Sequence, residues 1–234
     1  MFFYSTKLKE GENMDALQKG IQMMKKGNIE EAAKAFNEAI EKEPNDPTGW
    51  INFGNLLLAG DDTKRAILFY EKALEIDPLA SAASYGLGNA YYQMNRFKDA
   101  ELYFRQAESQ GLKESDTYFM LGMSLYQQEK AVLALAYFQR AVELNKEDTQ
   151  ARFQFGLCLA QTGQIEEAYE QLSLVIEQNP NHTDAMYNLG VIYLHKEEAE
   201  KALEMFKKAL AIQPDHLLAG HGKKQVEQFL QAKN

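Results

Sequence analysis

The sequence predicts an all-α solenoid: helix-turn-helix units stacked in a row and closed by a C-terminal capping helix. Three observations predict it. Glycines recur every 34 residues, at Gly20, Gly54, Gly88, Gly122, Gly156 and Gly190. Alanines keep the same step, at Ala32, Ala66, Ala100, Ala134, Ala168 and Ala202. Within one period, Thr183 to Asp215, the apolar residues form two helical sets divided by a polar break, His195-Lys196-Glu197-Glu198. Pro214 stops the second set, because proline has no backbone N–H to donate.

Two further columns say how the helices pack. Ala39, Ala73, Ala107, Ala141, Val175 and Ala209 are all small, whereas Phe36, Tyr70, Phe104, Phe138, Leu172 and Phe206 are mostly aromatic. A mid-helix glycine costs about 1 kcal/mol relative to alanine, so its repetition implies a packing reason. Small residues let two helix backbones approach, and the aromatic fills the gap beside them. Each helix pair then buries its apolar face against its neighbours only, with no central core. The period and its Leu-Gly, Tyr, Ala, Phe and Pro columns resemble the tetratricopeptide repeat family over residues 13–216, without an inserted or missing residue. The likeness is to the small stand-alone bacterial members. It implies a right-handed superhelix of thirteen helices whose first helices line a concave groove.

In chain order, residues 1–12 form a tail, expected to be poorly ordered or loosely docked. Its Phe2, Phe3 and Tyr4 are either an accident of composition or a segment that docks in a groove. Repeat one, 13–46, turns at Lys26-Gly27-Asn28 and stops at Pro44. Repeat two, 47–80, carries the lone tryptophan, Trp50, expected to pack between helices, and stops at Pro78. Repeat three, 81–114, has Gly111-Leu112 where the family has proline. Repeat four, 115–148, also lacks that proline, and its turn, Gln127-Gln128-Glu129-Lys130, lacks glycine. Repeat five, 149–182, regains Gly163 and Pro180, and repeat six spans 183–216. In 217–234 the apolar positions thin to Val226, Phe229 and Leu230, while Lys223, Lys224, Glu227 and Lys233 make one face polar. A polar-backed helix covering the last repeat is the expected cap.

Composition narrows the function. The 234 residues are 45% hydrophobic and 25% charged, and their formal net charge of −9 argues against nucleic acid, whose binding rests on Lys and Arg. The lone cysteine, Cys158, suits a reducing compartment and an inert core position, and no apolar run is long enough to cross a membrane. A cytoplasmic location follows as the expectation. His182, His195, His216 and His221 show no metal-ligand spacing, and the regular glycines are mid-helix rather than in a phosphate-cradling loop. No catalytic constellation, cofactor or metal site is expected.

Binding is the expected activity. Positions three before, one after and four after each glycine share a helical face, the one the family turns toward its groove. They give Leu17, Ile21 and Met24; Ile51, Asn55 and Leu58; Tyr85, Asn89 and Tyr92; Phe119, Met123 and Tyr126; Phe153, Leu157 and Ala160; Tyr187, Val191 and Leu194. Asn52, Met120, Gln154 and Asn188 sit at the margin. Tyr85, Asn89, Tyr92, Tyr187 and Asn188 are ordinary for the family, so the apolar excess carries the information. A contiguous apolar surface of that size marks a binding site or is covered by the chain itself. The family's carboxylate clamp needs Lys and Arg where this chain has Leu17, Ile51, Tyr85, Gly86, Phe119 and Met120, so an acidic chaperone tail is not the expected ligand. The expected partner is an extended peptide or amphipathic helix with apolar side chains, held by a monomeric, non-catalytic scaffold. A holdase that shields client segments, or self-association through the groove, are the alternatives.

Overall fold

The computed structural model describes residues 15–233 and contains thirteen α-helices and no strand among them. The aromatic tail at Phe2, Phe3 and Tyr4 lies outside the described residues. The helices fall into two compact units, Met1–Gln128 and Glu129–Asn234. The division lies inside repeat four, at the turn that lacks glycine.

The first unit holds α1 (Ala16–Lys25), α2 (Ile29–Lys42), α3 (Pro47–Ala59), α4 (Thr63–Ile76), α5 (Ser81–Gln93), α6 (Phe97–Ser109) and α7 (Ser115–Tyr126). The second holds α8 (Ala131–Leu144), α9 (Thr149–Gln161), α10 (Ile165–Gln178), α11 (Thr183–His195), α12 (Ala199–Ile212) and α13 (Leu217–Lys233). Within each unit consecutive helices pack together, and first helices also touch the next first helix, α3 against α5 and α11 against α13.

Local chemistry sets the helix ends. Asp15, Asp46, Asp62 and Asp148 cap α1, α3, α4 and α9 by accepting a backbone N–H from the first turn, at 2.7 to 3.3 Å. Pro47 opens α3 at a position where no N–H is needed. Each hairpin turn passes through one left-handed residue, and these keep the 34-residue step: Gly27, Asp61, Asn95, Glu129, Gly163 and Glu197, with φ between 57° and 84°. Only two of the six are glycine, so the other four adopt a conformation that disfavours a side chain.

The packing columns do what their residue types imply. Phe36, Tyr70, Phe104, Phe138, Leu172 and Phe206 are all fully buried. A Cβ at Gly54 would lie 2.7 Å from the Tyr70 ring, and one at Gly88 would lie 2.5 Å from the Phe104 ring. Tyr70 is also wedged against Gly86 on the next first helix, and Phe206 sits in the same way between Gly190 and Gly222. Gly222, which lies outside the six-glycine column, is thus the close-approach point for the capping helix. Trp50 packs on Phe69 with ring centroids 5.5 Å apart, and its indole N–H donates to the Pro44 carbonyl at 3.2 Å.

Candidate functional site

In the first unit the predicted face divides into a floor and an accessible layer. Ile51, Asn52, Leu58 and Tyr85 are each 9% exposed or less, so they support the surface more than they present it. Asn52 is turned onto its own helix, its amide donating to the Thr48 carbonyl at 2.9 Å. Asn55, Asn89, Tyr92, Phe119, Met123 and Tyr126 are half-buried.

Five of the predicted residues come together around one cavity of about 360 Å³: Asn55, Leu58, Tyr85, Asn89 and Tyr92. Ala59, Ala82, Gln93 and Met120 complete its wall. Sequence reasoning placed Met120 at the margin and missed the other three. A signal for Gln93 was present, since Gln127 and Gln161 follow it on the 34-residue step.

The cavity's polar groups are held by their neighbours. The buried Tyr70 hydroxyl donates to the Asn55 side-chain oxygen at 2.7 Å, which fixes that amide from below. Asn89 hydrogen-bonds the Tyr85 hydroxyl. Burial pushes the Tyr85 phenol up from its ordinary value, and the Asp116 and Glu114 carboxylates add to the shift against the Asn89 bond. Burial likewise raises Tyr92, opposed by its hydrogen bond to Gln127. Among the described residues no Lys or Arg lines this cavity. Its lining is amides, phenols and small or apolar side chains.

In the second unit Phe153 is 8% exposed and packs on His182 with ring centroids 4.5 Å apart, so it belongs to the core more than to a surface. Leu157 and Tyr187 are half-buried; Tyr187 lies against Phe206 and His216. Asn188 donates to the Asp184 carbonyl at 2.7 Å. Val191 and Leu194 are the accessible members, at 42% and 38% exposure.

Two of the four histidines and the cysteine have structural partners. His182 Nδ1 accepts the Ala185 N–H, and His216 Nδ1 accepts the Ala219 N–H, each at 3.2 Å. Both cap the first turn of a helix, in the register that Asp46 and Asp148 occupy elsewhere. The Cys158 thiol is fully buried and donates to the Ala131 carbonyl at 3.1 Å, and burial pushes it up to about 11. Among the described residues no three His, Cys, Asp or Glu side chains are grouped to hold a metal ion. None of the described helices is long and apolar enough to cross a membrane.

Comparison with known proteins agrees with this architecture. No curated protein sequence matches the chain. The crystal structure of YrrB, a TPR protein with an unusual peptide-binding site, is 51% identical, with a TM-score of 0.76 over 82% of this chain and 100% of that one. PilF of Pseudomonas aeruginosa shares the fold at 18% identity, with a TM-score of 0.77 over 94% of this chain and 96% of its own. MamA of Desulfovibrio magneticus RS-1 does so at 23% identity, with a TM-score of 0.62 over 70% of this chain and 92% of its own. Family models described as tetratricopeptide repeat match residues 17–81, 57–118, 125–181 and 183–216. With the columns, the turns and the glycine–aromatic wedges all in that register, the chain belongs to the tetratricopeptide repeat family.

Proposed function

We propose that the chain is a non-catalytic, monomeric interaction scaffold that binds a peptide or amphipathic helix through apolar side chains on its first-helix face. Its proposed setting is the cytoplasm. The observation that carries the reading is the 360 Å³ cavity built from Asn55, Leu58, Tyr85, Asn89 and Tyr92. A concave, largely preformed recess with a few fixed polar groups is the usual form of a ligand site. The 51% identity to YrrB, whose structure has a peptide-binding site, supports a peptide as the ligand class. Burying three or four apolar side chains at about 1.5 to 3 kcal/mol each, less the cost of association, corresponds to affinity near the micromolar range.

The burial of Phe153 decides which residues to test. A charge there would break the core, so the test belongs at the exposed rim. A photo-crosslinking side chain at Gln93, beside the cavity, is compared in cells with one at Leu68, exposed on α4. The scaffold reading expects one or a few defined adducts from Gln93, none from Leu68, and their loss on Tyr92→Asp. A broad ladder of adducts from Gln93 would favour a holdase, and an adduct of twice the chain mass would favour self-association. Equal adducts from both positions remove the cavity as the site.

A further inference from the structure

The second unit contains another pocket, which shares only Leu194 with the predicted groove face. It measures about 500 Å³ and lies where α11 and the start of α12 meet α13. Leu194, Val226, Phe229 and Leu230 supply its apolar lining, and Glu197 and Glu200 stand on its rim.

Phe229 is the anomalous residue. Its position on the 34-residue step is held elsewhere by Lys25, Ala59, Gln93, Gln127, Gln161 and His195. Repeat packing therefore asks for no aromatic there, and Phe229 is 57% exposed. Glu227 on the same helix lies 4.0 Å from Lys207 of α12 and 3.9 Å from Lys223. Leu194, at 38% exposure, is the other accessible apolar wall.

The rim gives the occupant its charge. Neither Glu197 nor Glu200 has an ion-pair partner among the described residues, whereas Glu198, between them in sequence, pairs with Lys201. No Lys or Arg lines the pocket, and two unpaired carboxylates beside an apolar recess attract a cationic neighbour and repel an anionic one. We infer that this pocket is a second docking site, for a partner segment in which a bulky apolar side chain is flanked by lysine or arginine. The apolar side chain fills the space between Leu194 and Phe229, and the flanking cations meet Glu197 and Glu200. The site rests on the second unit alone and stands whether or not the 360 Å³ cavity binds a peptide.

The test uses the full chain, isotopically labelled, and three synthetic decapeptides read by backbone amide shifts. The first probe has a central Leu-Phe pair with two lysines on each side. The second replaces the lysines by glutamates, and the third replaces Leu-Phe by Ser-Ser. The first is expected to shift amides of residues 194–200 and 225–231, with the second and third at least about tenfold weaker. Phe229→Gln, which installs the residue of three other repeats at an exposed position, is expected to weaken the first probe about tenfold without unfolding α13. Glu197→Gln with Glu200→Gln is expected to weaken it about three- to tenfold and to flatten its salt dependence. Leu68→Ser, exposed on α4 and outside both pockets, is expected to leave it unchanged. Equal binding of the glutamate probe, no effect of Phe229→Gln, or shifts confined to other helices would each overturn the inference.

Discussion

The two pockets occupy the same register in different repeats and differ in chemistry. Leu58 corresponds to Leu194, Asn89 to Gln225 and Gln93 to Phe229, each pair separated by four periods of 34 residues. Both recesses form where one first helix meets the next, beside an aromatic wedged between two glycines: Tyr70 between Gly54 and Gly86, Phe206 between Gly190 and Gly222. The first is then walled by tyrosines and amides, the second by aliphatic side chains and a phenylalanine under a carboxylate rim. Packing columns thus decide where a recess can exist, and the free columns decide what it holds. Stability and specificity are written in separate positions.

That separation is broken most severely at the wedges. Tyr70→Ala and Phe206→Ala each remove a fully buried ring, with an expected cost of about 3 to 5 kcal/mol in denaturant unfolding. Hydrogen exchange should then rise first in α3–α5 for the former and in α11–α13 for the latter. A uniform rise across both units would contradict the local role given to each wedge. Tyr70→Phe is milder: the ring stays and the bond to Asn55 is lost, for an expected cost of about 1 kcal/mol. It should also loosen the Asn55 amide and weaken binding at the first cavity while leaving the second untouched.

Acid provides a comparison between caps. Burial holds the His182 imidazole below its ordinary value of 6.5, with the Asp184 carboxylate and a backbone hydrogen bond acting against that shift. The groups packed around the ring are Phe153 of α9 and Asp184 of its own helix. A lowered folded-state value means that the unfolded chain takes up the proton more readily. The cap's contribution is therefore complete above pH 6.5 and is lost as pH falls from there through the folded-state value. Its size is about 1 kcal/mol. His182→Asn keeps a capping side chain and does not titrate, so the fall in melting temperature from pH 7.5 to 5 should shrink in that variant.

The smallest effect separates stability from binding at one residue. Glu197 holds a left-handed turn at φ 61°, where Gly27 and Gly163 stand in two other repeats. Glu197→Gly is expected to leave stability unchanged or raise it by up to about 1 kcal/mol. The same change should weaken the lysine-flanked probe by a few-fold. Thermal unfolding and probe titration on one variant read both.

Most of the scaffold was legible because the 34-residue step repeats backbone requirements: close approach at glycine, a ring beside it, and a turn after it. Accessibility was harder to read. Ile51, Leu58, Tyr85 and Phe153 point to the first-helix face by spacing, yet adjacent helices cover them, and no one-dimensional pattern reports how far a neighbour overlaps. The capping histidines were hidden for another reason. His182 and His216 replace aspartate by a different chemistry, so the register was visible and the role was not. Phe229 was visible as an apolar residue and was assigned to the cap's interior. Only its exposure and the rim beside it show that it faces outward.

The burial of Cys158 beneath the Ala131 carbonyl has an experimental use. The chain has a single thiol, sealed at the junction of α8 and α9, so a thiol reagent reaches it only when those helices part. The rate of labelling is therefore a built-in clock for the opening of that junction. A ligand that tightens the junction slows the clock, and one that leaves the junction alone does not. The protein carries its own reporter, with no engineered label required.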